Sequence, residues 1–333
     1  MNWDLHRITI IGIIILLIPP IFFEAGARTV PRTFMAIGLF ATLTIALNIV
    51  FGHTDQLVLF SGAMAATGAY VSIMLADFLA ISPWFTMLVG ATLAGLIGAG
   101  VAWVAARRGA GIIAIAILTL ALNFAFFELI NHFRSHTGGE TGYRVTDMTI
   151  TPIEELPWFT HEIVLFYVIG ILLIAVMLVY RYIMNSKYGL AFEMIRQDQG
   201  AAESVGVNII RYKVLAAFIA MFVMGLAGPL MGARGGWLTP TVFDFGHVDV
   251  LILIMLVIGG LRTLWGPVIG AAIIIVLHEE LREFAAYRTM IFGIILVFLF
   301  LYFRQGIVPY ATQQVKRRNL VERSKEFIPG TRS

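Results

Sequence analysis

The stretch Tyr188–Lys213, YGLAFEMIRQDQGAAESVGVNIIRYK, is polar, charged and rich in small residues, yet it interrupts a chain that is almost continuously apolar on both sides. Such a segment cannot lie in hydrocarbon. It therefore marks a surface between membrane spans, and the fold is read outward from it. Of 333 residues, 59% are apolar and 13% charged. Soluble domains carry about 25% charge and 45–50% apolar residues, so the class is an all-α polytopic membrane bundle. A β-barrel would alternate apolar and polar residues in segments of about ten; the runs here are longer and do not alternate.

A spanning helix needs about 20 mostly apolar residues. Candidate spans lie near 8–23, 34–51, 57–76, 84–106, 110–130, 162–184, 213–232, 247–261, 264–280 and 288–303. Several are short or broken by glycine, so about 8–10 spans are expected. The first follows His6 and Arg7 and has no small-residue cleavage site before Glu24, so it reads as a retained span rather than a leader. Residues 1–310 form the membrane domain and 311–333 a basic tail. Lys and Arg of short loops set orientation. Arg107–Arg108, the basic residues around 186–213 and those of the tail fall on one side, assigned to the cytoplasm, with both termini there too. Loop 131–161 is then external. Its Gly138, Gly139 and Gly142 suit tight turns of positive φ.

The absence of cysteine excludes disulfides and thiol chemistry. There is no G-x-x-x-x-G-K-[ST] loop for ATP. His278-Glu279-Glu280-Leu281-Arg282 begins like a zinc motif, but Arg282 stands where the second histidine is needed. Ser61 lacks a G-x-S-x-G context. No enzyme constellation, metal site or cofactor site is expected in this chain.

Within the quoted stretch, residues 190–199 and 201–205 read as two short helices divided at Gly200, with Gly206 as a stop. Leu190, Met194 and Ile195 can share one face. Helices this short need a partner to pack on. Gly259-Gly260-Leu261-Arg262-Thr263-Leu264-Trp265-Gly266-Pro267 breaks helical propensity inside an apolar run. The chain there must turn around or continue as a broken helix, with Pro267 suited to a first helical turn. Gly259, Gly260, Gly266, Pro267 and Gly270 are accordingly read as a helix break with close packing. Stretches 52–70 and 259–271 form a weak internal repeat of interrupted segments, which in transporters point to the pathway.

Polar groups inside spans are functional candidates. Asn48, Ser61, Thr119 and Asn123 are the pathway candidates; His53, Asp55 and Glu128 sit near predicted span ends, where water reaches them. No cluster of buried charge resembles a proton relay.

The residues Tyr188-Gly189-Leu190-Ala191, Arg196, Ala201-Ala202-Glu203-Ser204-Val205-Gly206-Val207 and Arg211-Tyr212-Lys213 resemble the coupling loop of ABC-importer permeases. With Thr137-Gly138-Gly139, Gly68-Ala69-Tyr70 and Gly259 through Ala271, the chain is similar to the branched-chain amino acid permease family, M-type, over roughly residues 35–308. It departs at 52–61, where that family usually has a second glycine before Gln56 and a Gly-His pair near 59–60, and at His247, where a small hydroxyl residue is common. The resemblance implies an inner-membrane permease subunit without an active site. It would pair with a homologous second permease, two cytoplasmic ABC ATPase subunits that bind ATP and magnesium, and an external solute-binding protein. It implies branched-chain or other hydrophobic amino acids as substrate and an ATPase-coupling role for Gly189, Glu193, Arg196, Ala201, Ala202, Glu203 and Gly206. Urea, an amide or another small metabolite is the alternative cargo within the class. A secondary transporter is the alternative outside it.

Overall fold

A computed structural model describes residues 29–145, 161–281, parts of 290–297, and 306–310. The expected spans 8–23 and 288–303 and the basic tail fall wholly or largely outside these residues, as does 146–160 of the long loop. The described chain is helical: α1 Thr29–Leu47, α2 Ser61–Leu79, α3 Pro83–Arg107, α4 Ile112–His132 and α5 His161–Met184. After them come α6 Lys187–Gln197, α7 Gln199–Ser204, α8 Ile209–Gly235, α9 Asp249–Gly259 and α10 Trp265–Glu280. Six helical segments are long and apolar enough to cross a membrane: Pro31–Gly52, α2, α3, α4, Glu162–Met184 and α8. The protein is a multi-pass membrane protein. α9 has 11 residues, about 16 Å at 1.5 Å per residue, roughly half the ~30 Å hydrocarbon core.

α1 is the central element, packed by α5, α8, α9 and α10, and 78% of its spanning window is buried. α4 is the outlier at 22%. Only its stripe Ile115, Ala116, Thr119, Asn123 and Ile130 is buried, while Ile113 and Ile117 are 75% and 64% exposed. Apolar surface on this scale suits lipid or another membrane protein rather than water.

α2, α3 and α8 pack backbone to backbone through small residues, the expected device in lipid, where hydrophobic burial gives helices no reason to associate. α8 contains Pro229, which has no N–H for the Gly225 carbonyl four residues earlier. That carbonyl lies against Gly68, where an added Cβ would sit 2.1 Å from it. A Cβ on Gly228 would sit 1.9 Å from the Ala65 carbonyl oxygen.

Two crossings are only partly helical. After α1 a five-residue π-helical turn, Asn48–Gly52, leads to an irregular stretch, Asp55–Phe60, before α2 begins. After α8 the chain forms strand β2 (Trp237–Leu238), a 3-10 turn and a bend before α9 begins. β2 pairs antiparallel with β1 (Tyr143–Arg144), Tyr143 opposite Leu238, tying the long loop to this second stretch. The expected positive φ holds for Gly138, Gly139 and Gly142.

The glycine-rich block turns the chain around rather than extending it. α9 and α10 form an antiparallel hairpin with the turn at Gly260–Leu264, and Pro267 lies in the first turn of α10. Contact is close enough that a Cβ on Gly259 or Gly270 would sit 1.9 Å from the Gly266 or Met255 carbonyl oxygen. The two stretches paired in the weak repeat are thus built differently: one is an irregular entry to a helix, the other a hairpin turn.

Gly228→Val should destabilise the purified protein by about 1–3 kcal/mol, the usual cost of overpacking, read as a lower unfolding midpoint in detergent. Gly100→Ala, on α3 with nothing within 4 Å of the added Cβ, should leave that midpoint unchanged or raise it, because helical glycine costs about 0.5–1 kcal/mol relative to alanine.

Candidate functional site

Three of the pathway residues read from sequence converge where the two irregular crossings meet. α2 and α9 both begin inside the bundle, and each leaves amides without intrahelical acceptors. Asp249, the first residue of α9 and 1% exposed, supplies acceptors for α2. Its Oδ1 accepts from Ser61 N–H at 2.6 Å and its Oδ2 from Gly62 N–H at 3.2 Å. Asn123 of α4 donates from Nδ2 to the same Oδ2 at 3.1 Å. Thr119, one turn earlier on α4, accepts from Leu59 N–H at 3.0 Å and donates to the Ile115 carbonyl at 2.8 Å. Ser61, Thr119 and Asn123 are fully buried. Gly62 has to be glycine here, since a Cβ would sit 2.1 Å from the Phe243 carbonyl oxygen.

Depth follows from helical rise. Asn123 is 11 residues into α4 and Asp249 is 10 residues from the end of α9, so both lie about 15–17 Å from the α6 end of the bundle. That is close to the middle of a ~30 Å hydrocarbon layer. Irregular backbone is tolerated at that depth only where protein covers it or it lines a cavity; Gln56, Val58 and Phe60 are buried accordingly.

Asn48 does not join this cluster. It sits toward the α6 end and holds the hairpin turn. Its Oδ1 accepts from Arg262 N–H at 2.8 Å, and its Nδ2 donates to the Thr263 carbonyl at 3.0 Å and the Tyr180 hydroxyl at 3.1 Å. Both protons of the amide are used, so its orientation is fixed by chemistry. The Tyr180 hydroxyl also lies 2.8 Å from Nε2 of His53, which extends the hydrogen-bonded set to that ring. Gly52 leaves room for the Asn48 side chain, since a Cβ would sit 2.2 Å from Oδ1. Arg262 holds φ +62°, a left-handed conformation that is uncommon outside glycine. The Asn48 bond helps to hold it. Thr263 completes the turn, accepting from Gly266 N–H at 3.0 Å and donating to the Gly260 carbonyl at 2.9 Å.

His53 also lines a cleft of about 550 Å³ with Met184, Lys187, Leu190 and Glu193, which joins this hydrogen-bonded set to the hydrophilic segment. That segment divides at Asp198, two residues before the expected Gly200. Asp198 is extended, and its side chain accepts from Gly200 and Ala201 N–H at 2.8 and 3.1 Å, capping α7. Ser186 caps α6 through Tyr188 N–H. The segment also ends earlier than expected. Asn208 caps α8 by accepting from Arg211 N–H, so Ile209–Lys213 belong to that helix.

The buried face of α6 is Gly189, Ala191, Phe192 and Ile195. Leu190, expected on the same face as Ile195, is instead 65% exposed. Phe192 and Tyr188 each stack edge-on against Tyr212 of α8, with centroids 6.2 Å apart. A Cβ on Gly189 would sit 2.3 Å from the Met184 carbonyl oxygen. Ala202 is the buried residue of α7; Ala201, Glu203 and Gly206 are exposed, and Gly206 has φ +86°. Arg196 pairs with Glu193 within α6. That guanidinium holds the Glu193 carboxyl below the usual range, so the pair is charged at neutral pH and weakens only as pH falls through the lowered value.

Permease components of branched-chain amino acid transport systems match residues 30–301. The chain belongs to this family. It is 26% identical over 301 residues to the high-affinity branched-chain amino acid transport system permease protein LivM of Escherichia coli K12, covering 84% of this chain and 70% of that protein. The Salmonella typhimurium LivM is also 26% identical, over 306 residues with the same coverage. A probable branched-chain amino acid transport permease protein LivH of Methanocaldococcus jannaschii is 20% identical over 297 residues, 85% of this chain and 90% of that protein. No solved structure matches the chain.

Sequence reasoning passed over Asp249. It opens an apolar run just after a polar bend, as a water-facing flank would. The available signal was length: an 11-residue helix cannot cross the membrane, so one of its ends must lie inside. Asn48→Leu should lower stability by about 1–3 kcal/mol, because the Arg262 N–H and Thr263 carbonyl lose their buried partner. Tyr180→Phe should cost less, and unfolding midpoints of the two variants would rank them.

Proposed function

We propose that this chain is one permease subunit of an ATP-driven importer of branched-chain and other hydrophobic amino acids in the cytoplasmic (inner) membrane. Family membership and the names of the relatives support the cargo. The partners on this reading are a homologous permease, two cytoplasmic ABC ATPases holding ATP and magnesium, and an external solute-binding protein. The α6 end faces the cytoplasm, with both termini on that side.

The single observation that carries the reading is the form of α6–α7. It is a hydrophilic helix pair, capped at both starts and anchored to the bundle by Phe192, Ile195 and Ala202, while Leu190 and Val205 are 65% and 64% exposed. Neither helix is long enough to be stable alone, and apolar side chains standing free on a charged surface suit a groove in a partner. Gly189, Glu193 and Arg196 hold α6 in shape and against α5, while Ala201, Glu203 and Gly206 face outward. ATP-driven closure of the ATPases moves this pair. The rings of Phe192 and Tyr212 pass that motion to α8, and the cleft beside His53 passes it through Tyr180 and Asn48 to the hairpin. The spans then rock from outward-open to inward-open. This chain supplies pathway and handle, and the ATPases supply the free energy.

Complex reconstituted in liposomes with its ATPases and binding protein should take up labelled leucine, and not urea, only when ATP is present. Gly200→Pro deletes an N–H that caps α7, and Glu193→Lys replaces the Arg196 pair with repulsion. Each should cut uptake by about tenfold or more, the equivalent of roughly 1.4 kcal/mol of lost coupling, while ATP hydrolysis and membrane insertion persist. Normal uptake by both variants would exclude the handle. Accumulation by the chain alone, without nucleotide, would exclude the class.

A further inference from the structure

We propose that Asp249, with Asn123 and Ser61, receives the ammonium group of the transported amino acid at the middle of the membrane. The inference rests on the amino-acid reading above and assigns a subsite to it.

The residue type at 249 is the first observation. An asparagine or serine can accept the amides of a helix start as well as an aspartate does, and without charge. A carboxylate at this depth is expensive unless something positive meets it. Among the described residues no lysine, arginine or histidine forms an ion pair with Asp249. The starts of α2 and α9 bring partial positive charge, which steadies the carboxylate but cannot donate more than the bonds already made.

The second observation is independent of helix starts. Asn123 is fully buried, and its Oδ1 has no hydrogen-bond partner, although an unmade buried acceptor carries a cost. Turning the amide over would not relieve it, because Oδ1 would then face the oxygen of Asp249. The Ser61 hydroxyl is equally buried and lies beside the Asp249 carboxylate, to which its proton can go, so that its lone pairs are left as acceptors. Three acceptors on three helices, one charged and two neutral, complement the three N–H donors of an ammonium group. A free carboxylic acid has no N–H donor, and the N–H groups of urea are uncharged and divided between two nitrogens in one plane.

Access follows from packing. Asn123 sits on α4, the least buried of the spanning helices, and a helix held by few contacts is the one that moves at least cost. Outward movement of α4 breaks only the Asn123–Asp249 bond and the Leu59–Thr119 bond at this locus, and it opens the acceptors while Asp249 keeps its hold on α2. Asp249, Asn123 and Ser61 are thus binding residues, and Thr119 positions α4 against the irregular stretch.

The test is equilibrium binding to the purified complete permease–ATPase complex in nanodiscs, without the solute-binding protein. Labelled leucine is competed by leucinamide, which keeps the ammonium and lacks the carboxylate, and by 4-methylpentanoate, which keeps the carboxylate and lacks the ammonium. Leucinamide should compete and 4-methylpentanoate should not. Asp249→Asn, which retains the helix cap, should weaken leucine binding by the assembled complex roughly ten- to a hundredfold, the range for a hydrogen bond to a charged group. Unchanged binding by Asp249→Asn, or competition by 4-methylpentanoate equal to that of leucinamide, would overturn the proposal. If Asp249→Asn does not assemble, the competition series on the unmodified complex decides alone. If leucinamide binds in an Asp249-dependent way but no amino acid is imported with ATP, the subsite stands and the amino-acid reading fails.

Discussion

The carboxylate of Asp249 holding the first two amides of α2 is the contact on which this bundle depends. Hydrocarbon offers no hydrogen bonds, so a chain that stops being helical inside the membrane must satisfy its own amides and carbonyls. Here it does so at a single locus. α2 and α9 start facing each other, one acidic side chain serves the amides of the other helix, and α4 lends Asn123 and Thr119 to complete the set. Phe60 and Phe243 are fully buried on the two irregular approaches. Without this contact, the first two amides of α2 would sit in the middle of the layer with nothing to accept from them.

A second polar set, around Asn48, works on the same principle at the α6 end. There the problem is a hairpin turn whose Arg262 adopts a left-handed conformation. The amide of Asn48 matches the turn donor for acceptor, and the rest of its capacity extends to Tyr180 and His53 beside the hydrophilic segment. The irregular residues 55–60 separate the two sets. Gln56, within that stretch, donates to the Lys213 carbonyl at 3.2 Å, so the irregular crossing is also fastened to the start of α8. The two polar sets and the start of α8 thus lie along one short stretch of chain, with the cleft beside His53 opening toward α6.

The helical class, the hydrophilic segment and the break at Gly259–Pro267 were legible in the chain because each rests on composition or on residues with strong backbone preferences; whether that break turns the chain around was left open. Ser61, Thr119 and Asn123 stood out for the same reason: polar groups in apolar runs are conspicuous. What could not be read was partnership. Asn48 and Asn123 were both read as pathway residues, but one serves a turn and the other a carboxylate. Leu190 and Ile195 looked equivalent because periodicity shows which residues share a face, and docking decides which face is covered. Asp198 displaced Gly200 as the break because a side chain that caps two amides outweighs the flexibility of a glycine.

Biogenesis inherits a constraint from the contact between Ser61 and Asp249. The two residues are 188 positions apart, so more than half of the polypeptide emerges from the ribosome after the donor and before its acceptor. Until then the start of α2 needs temporary company, from water in the insertion pore or from a neighbouring span. α9, at 11 residues, cannot leave the insertion machinery for lipid on its own account. The early spans therefore stay provisional until the late hairpin arrives, and maturation of the whole subunit is gated by its C-terminal third.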